Sequence, residues 1–289
     1  MVWSCLPSER EFSFKPKLTD HEFFKVGVSH DIDESIKEET CTVKFPFLKE
    51  ESAGYFGLFE GHRGGWAAAS AASTYLHEIL QNEIGSHQTD FGKCFESAFT
   101  KLDASIKSIA YDRGTSASIC LVRKGEEQTI LHFANVGDTR AILCRRGKAV
   151  RLTQDHTIAD EREKGRLEAC RAYVKSNDKI RGLVRHTRAL GDHVVKQWVI
   201  STPHYAEIEL SPDDTFFLLI SHGLCAVIAD QEAAEIAQCA AAAAARKPAQ
   251  AASDAVVKAA RARAGGVGNL AVVAVHFNWG EAAAAAAAR

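Results

Sequence analysis

Apolar positions recur along the chain on two periods, and the switches between them mark the elements. Short apolar runs at Cys41–Phe45 and Tyr55–Phe59 predict strands. From Trp66 to Leu80 the spacing lengthens, and Ala69, Ala72, Leu76, Ile79 and Leu80 fall on one face of a helix. A second amphipathic helix fits Phe91–Ile109, with Phe91, Phe95, Ala98, Leu102, Ile106 and Ile109 along one side. Strands follow at Ala117–Val122, Ile130–Val136 and Ala141–Arg145, the last two joined by the turn residues Gly137 and Asp138. Beyond them come a polar helix at Asp160–Ala169, a buried strand at Phe216–Ile220, alanine-rich helices at Gln231–Ala245 and Gln250–Ala264, and a closing strand at Leu270–Phe277. The order strand, two helices, several strands, two helices, strand implies layers of sheet and helix rather than alternating βαβ units. The first fifty residues are charged and weakly patterned, and Asp31–Thr40 reads as a solvated loop or strand edge. The tract Ala282–Ala288 reads as a frayed helix at a chain end.

Composition narrows the class. A chain of 289 residues, 46% hydrophobic and 25% charged, is long enough for one large core. The expected division is an N-terminal extension over residues 1–20, one domain over 21–279 and a low-complexity tail over 280–289. A net charge of -2 gives no cationic surplus with which to neutralise phosphates, so nucleic acid is not an expected partner. The longest apolar run, Thr215–Ile228, is interrupted by Ser221 and His222 and is too short to span a bilayer, so no membrane partner is expected. The N-terminus lacks a basic segment followed by an apolar core, as a secretory signal would have. The 8 cysteines form no C-x-x-C pair, a pattern of reduced thiols that suits the cytoplasm or nucleus.

Seven segments carry a resemblance. In order they are F-E-G-H-R-G-G from Phe59, R-G-T-S-A-S from Arg113, A-N-V-G-D-T-R-A-I-L-C-R from Ala134, L-T-Q-D-H from Leu152, T-R-A-L-G-D from Thr187, I-S-H-G-L from Ile220 and G-V-G-N-L-A-V-V-A-V-H-F from Gly266. Together they resemble the metal-dependent protein phosphatases of the 2C type. The resemblance implies an α+β fold, a four-layer αββα sandwich of two central antiparallel sheets, with a metal cleft at one edge. It also implies hydrolysis of phosphoserine and phosphothreonine monoesters. Two manganese or magnesium ions would activate a water and neutralise phosphoryl oxygens, held by grouped carboxylates because these hard cations take oxygen ligands.

Against that pattern the acids are depleted. The aspartate that would bridge both metals is Glu60, followed by a retained Gly61 and His62; the aspartate of S-D-G is His222; that of the closing D-N is Gly268, before a retained Asn269. Counting from Gly27, the phosphate-holding arginine falls on Ser35 and the family's E-D pair on Glu39 and Thr40. No arginine occurs between Arg10 and Arg63, so that loss is independent of register. Asp138, which the resemblance implies would be a ligand of an additional, weaker metal in the family, is retained, and Arg140, Asp155, His156, Arg188, Gly191, Asp192 and Gly223 also fit. Imidazole at His222 is a softer, neutral donor that favours zinc over magnesium. Glu60 keeps the charge but reaches roughly 1.5 Å farther, one C–C bond.

The expected function is a catalytically inactive protein phosphatase 2C-like module that binds or regulates other proteins, with phosphoproteins or kinases as candidate partners and no cofactor. His62 and Glu39 would be catalytic remnants, and Arg63, or the Arg185 and Arg188 region, a candidate for holding a phosphate without cleaving it. The alternatives are a weakly active manganese- or magnesium-dependent phosphatase with an altered site at Glu39, Glu60, Asp138 and His222, or a zinc- or phosphate-binding variant. The plain reading of Glu60 and His222 is a hydrogen-bonded carboxylate at a strand end and a partly buried histidine.

Overall fold

A computed structural model describes residues 21–31, 38–86, 90–175, 178–265 and 268–280. The extension over 1–20, Ser35 and the Ala282–Ala288 tract lie outside the described residues.

Two antiparallel sheets face each other. One has the order β1 (Phe24–Asp31), β11 (Leu270–Phe277), β10 (Asp214–Ile220), β6 (Arg140–Arg145), β7 (Lys148–Arg151). The other runs β2 (Glu39–Lys44), β3 (Ala53–His62), β4 (Gly114–Lys124), β5 (Thr129–Val136), β9 (His204–Leu210), with the two-residue β8 (Leu190–Gly191) pairing on β4. Period-two alternation divides each strand between two cores. Phe56 and Leu58 of β3 meet Phe217 and Leu219 of β10, and Val273 and Val275 of β11, between the sheets. Tyr55 and Phe59 point the other way, under α1 (Trp66–Ser86) and α2 (Phe91–Ser105). Phe216, Leu218 and Ile220 pack beneath α5 (Asp230–Ala243) and α6 (Pro248–Ala264). The result is the αββα sandwich that the sequence led us to expect.

Three helices carry ordinary start signals. Asp90 caps α2 by accepting from the Lys93 amide at 3.0 Å, Asp160 caps α3 (Glu161–Ala169) by accepting from Arg162 and Glu163, and Pro248 opens α6. Helix α2 ends at Ser105, earlier than the expected Ile109; the chain turns there, and Ile106 and Ile109 still pack or lie against the same core.

Four strands escaped the pattern, the short β7 and β8 and the longer β1 and β9. β1 lies at a sheet edge in the charged N-terminal stretch, with Val26 and Val28 facing the inter-sheet core. β9 is the outer strand of its sheet, with Ala206, Ile208 and Leu210 inward and Tyr205, Glu207 and Glu209 between them. A satellite core of Leu167, Ile180, Val184, Val195 and Val199 supports the segment that links α3 to β8. Every described cysteine is a free thiol, and no described helix is long and apolar enough to cross a membrane.

Candidate functional site

The cleft assembles at one edge of the paired sheets, where several strands end together. β3 delivers Glu60 and His62, the β5–β6 turn delivers Asp138, and α4 (His222–Cys225) begins directly after β10 with His222. The turn requires Gly137: its φ is 85°, and a Cβ there would sit 2.1 Å from the Ser116 hydroxyl. His186 and Asp192 come from the segment between α3 and the short 3-10 turn at His193–Val195.

Asp138 is the centre of the cluster. His222 Nδ1 stands 2.9 Å from one carboxylate oxygen and His186 Nδ1 3.4 Å from the other, with the Ser116 hydroxyl donating from 3.3 Å. Burial alone would raise the Asp138 pKa, but the two imidazoles hold it well below the usual carboxylate range. The hydrogen bond to Asp138 in turn pushes His222 up to about 9. Burial lowers His186, but Asp138, together with Asp192 and Glu60, outweighs it and leaves the imidazole above its ordinary value. Both imidazoles are therefore held toward the cationic form beside one carboxylate.

Glu60 lies on the same row. Its Oε2 accepts the His222 backbone N–H at 2.7 Å. Burial, reinforced by Asp138, pushes its carboxyl up to about 7. Glu39 is registered directly opposite Glu60 across the β2–β3 ladder; burial and then the Glu60 charge raise it to about 8, and its Oε2 has no hydrogen-bond partner. Thr40 is paired with Phe59 one position on, which places it on the opposite face of the strand from Glu39. The Gly61 amide donates to the Glu38 carbonyl at 2.8 Å. The Glu38 side chain accepts from the amides of Gly64 and Gly65 at 2.6 and 2.9 Å, just before α1 begins. Gly268 has no side chain, and a Cβ there would meet nothing within 4 Å.

On the far side, His62 Nε2 is 2.6 Å from Asp192 Oδ2, and its ring centroid lies 4.4 Å from that of His186. Burial and the neighbouring His186 lower the His62 pKa, so a neutral ring donating to Asp192 accounts for the contact. Arg63 Nη1 lies 3.7 Å from the other Asp192 oxygen. Arg185 is exposed. Arg188 is not free for a ligand, because it donates to Glu163 through Nε and Nη2 and to the Thr202 carbonyl through Nη1.

The donor set fits a pair of hard divalent cations poorly. Both Asp138 oxygens already face imidazoles, a histidine stands at position 222, and Gly268 offers no ligand. Among the described residues, no three His, Cys, Asp or Glu side chains form a group that would hold a metal ion.

Of the residues named from the sequence, Glu39, Glu60, His62, Arg63, Asp138, Asp192 and His222 come together at this edge; Thr40 turns to the other face, Arg188 is engaged with Glu163, Gly268 has no side chain to offer, and Ser35 lies outside the described residues. Two working residues were not singled out. His186 immediately precedes T-R-A-L-G-D, and that motif was the available signal for it. Glu163 sits on the polar helix α3, where nothing in the pattern separates a buried carboxylate from a solvated one.

Fold and cleft together define an αββα sandwich protein with an acid–imidazole row at one edge of its sheets. Residues 30–266 match the protein phosphatase 2C family, and the chain belongs to that family. It is 29% identical over 231 residues to Protein phosphatase 2C homolog 1 of Saccharomyces cerevisiae, covering 74% of this chain and 82% of that protein. It is 30% identical over 212 residues to Probable protein phosphatase 2C 14 of Arabidopsis thaliana, covering 71% of this chain and 46% of the relative, so it spans less than half of that protein's length. The fold is shared with a serine-threonine phosphatase 2C from Toxoplasma gondii at a TM-score of 0.76 and 18% identity, over 90% of this chain and 96% of that one. A C. elegans sex determining protein gives the same TM-score of 0.76 at 20% identity, over 87% of this chain and 64% of that one.

Proposed function

We propose that this protein is a catalytically inactive member of its family, a pseudophosphatase that acts as a binding or regulatory module for other proteins. The observation that carries the reading is Asp138, whose two oxygens face His222 at 2.9 Å and His186 at 3.4 Å. In this reading, protein cations stand beside the carboxylate where an active relative would bring metal ions. Supporting it, Glu60 is engaged by the His222 amide, and position 268 contributes no carboxylate.

The competing reading is a weakly active enzyme dependent on manganese or magnesium. It draws on the retained Asp138 and Asp192 and on the negative charge that Glu60 preserves. The two separate in one assay: turnover of a phosphopeptide and of para-nitrophenyl phosphate, with and without manganese. The pseudophosphatase reading expects background rates in both conditions. A rate that rises with manganese in the unmodified protein establishes the enzyme instead.

A further inference from the structure

The segment after α3 differs in charge from the rest of this mildly acidic chain. Between positions 171 and 185 the sequence carries Arg171, Lys175, Lys179, Arg181 and Arg185 against one carboxylate, Asp178. Elsewhere in the protein, Arg140, Arg145, Arg166 and Arg188 are each matched to a carboxylate. None of the five cations makes an ion pair among the described residues. Arg171, Lys175, Arg181 and Arg185 are exposed, and between them Tyr173 is 58% exposed, a large ring left in water.

The backbone beneath them is built rather than loose. The Arg181 amide donates to the Tyr173 carbonyl at 2.8 Å, and the Lys175 amide to the Lys179 carbonyl at 3.0 Å. Ile180 bridges to both Val174 and Val184 and is fully buried with Leu167 and Val199. The Lys175 side chain lies across Gly182, within 2.9 Å of where a Cβ there would stand. The Arg181 guanidinium is stacked 5.2 Å over the Trp198 ring. Part of the side-chain ordering cost of binding is met in advance for these groups. The surface also adjoins the cleft, because Arg185 is followed directly by His186.

We infer that Arg171, Tyr173, Lys175, Lys179, Arg181 and Arg185 form a docking surface for an acidic polypeptide segment of a partner protein. The inference rests on the reading of the chain as a protein-binding module and names the chemistry of its partner. Charge complementarity selects an anionic occupant, and the isolated tyrosine supplies one apolar anchor of the kind enriched at protein interfaces. A nucleic-acid strand is the poorer match. Asp178 interrupts the cationic face, and Tyr173 alone does not make the series of stacking rings that single strands use.

The test is fluorescence anisotropy on the full chain, with a labelled poly-glutamate peptide as probe and a Gly-Ser peptide of equal length as control. The expected result is binding of the acidic peptide only, weakening as salt is raised from about 50 to 300 mM. The combined reversal Arg171→Glu, Lys175→Glu, Arg181→Glu should raise Kd by roughly tenfold or more, since like charges now face each other, with circular dichroism confirming that the variant folds although it loses the Arg181–Trp198 stacking. Should the triple variant misfold, Lys175→Gln with Arg185→Gln serves in its place, with a several-fold loss expected. Equal affinity for both peptides, or a Kd changed less than twofold by charge removal, overturns the inference. So does tighter binding, through the same residues, of a single-stranded oligonucleotide or of anionic phospholipid vesicles. The pseudophosphatase reading is judged separately by manganese-stimulated turnover, which none of these substitutions touches.

Discussion

Replacing Glu163 by glutamine probes the support behind the cleft. The Glu163 carboxylate is buried on α3 and accepts four hydrogen bonds: from Arg188 Nε and Nη2 at 3.0 and 2.6 Å, Arg166 Nη2 at 2.8 Å and the Thr187 hydroxyl at 2.6 Å. Thr187 in turn donates its amide to the His156 carbonyl, and His156 donates to the Gly137 carbonyl beside Asp138. Glu163 thus holds the segment that carries His186 against the turn that carries Asp138. Burial would raise its pKa, yet the hydrogen bonds from Arg188, Arg166 and Thr187 bring it from 4.5 down to about 2. At about 1.36 kcal/mol per pKa unit this corresponds to roughly 3 kcal/mol. That agrees with the roughly 3–5 kcal/mol lost when a buried ion pair loses one member. With only 4% of the side chain exposed, solvent screening removes little of it.

A lowered folded-state pKa contributes stability above the unfolded-state value of 4.5 and loses it as pH falls toward about 2. Urea unfolding of wild type and Glu163→Gln at neutral pH should therefore differ by roughly 3 kcal/mol, and the gap should shrink by more than half by about pH 3. A difference below about 0.5 kcal/mol at neutral pH, or a gap independent of pH, would refute the assignment of Glu163 as an ionised hub.

Gly27 of β1 lies against the start of α6, where an added Cβ would sit 2.2 Å from the Ala249 backbone. Gly27→Ala should therefore cost at least about 1–3 kcal/mol, as overpacking does, read as a lowered urea midpoint; an unchanged midpoint would mean the strand and helix separate freely. Restoring carboxylates at the cleft with Glu60→Asp, His222→Asp and Gly268→Asp together should create metal-dependent stabilisation. At ten times Kd, manganese would add about 1.4 kcal/mol, or roughly 2–3 °C in Tm for a chain of this size. Thr40 is left out of the set because its register opposite Phe59 turns it to the other face of the sheet. No shift in the triple variant at any manganese concentration would mean that more than missing oxygens separates this cleft from a metal site.

Strands and helices with a buried stripe were legible because burial on one face writes a period into the sequence, as in Leu76 and Leu80 of α1 or Phe217 and Leu219 of β10. Edge strands wrote less. In β1 the inward residues Val26 and Val28 are separated by Gly27, which is present because α6 presses on it rather than because a turn needs it. In β9 the inward residues Ala206 and Ile208 are each followed by a glutamate, Glu207 and Glu209, in a segment whose outer edge has no neighbouring strand among the described residues.

The cleft was legible at Glu60, Asp138 and His222, positions picked out by the family pattern that the structure brings together. The approach of His186 was not. His186 is brought to Asp138 by the Thr187–His156 pairing and the Glu163 hub, tertiary contacts that no local pattern encodes. Likewise, the raised pKa of Glu39 arises from burial and then from Glu60 paired opposite it across β2 and β3, and that of Glu60 from burial and then from Asp138.

The most direct measurement is the melting temperature of the unmodified protein across a manganese titration into the millimolar range, with calorimetric detection of binding alongside. If His222 and His186 occupy the charge of Asp138 and too few anionic oxygens remain, Tm stays flat and no saturable heat appears. A saturable rise in Tm accompanied by binding heats for two ions per chain would contradict the central claim.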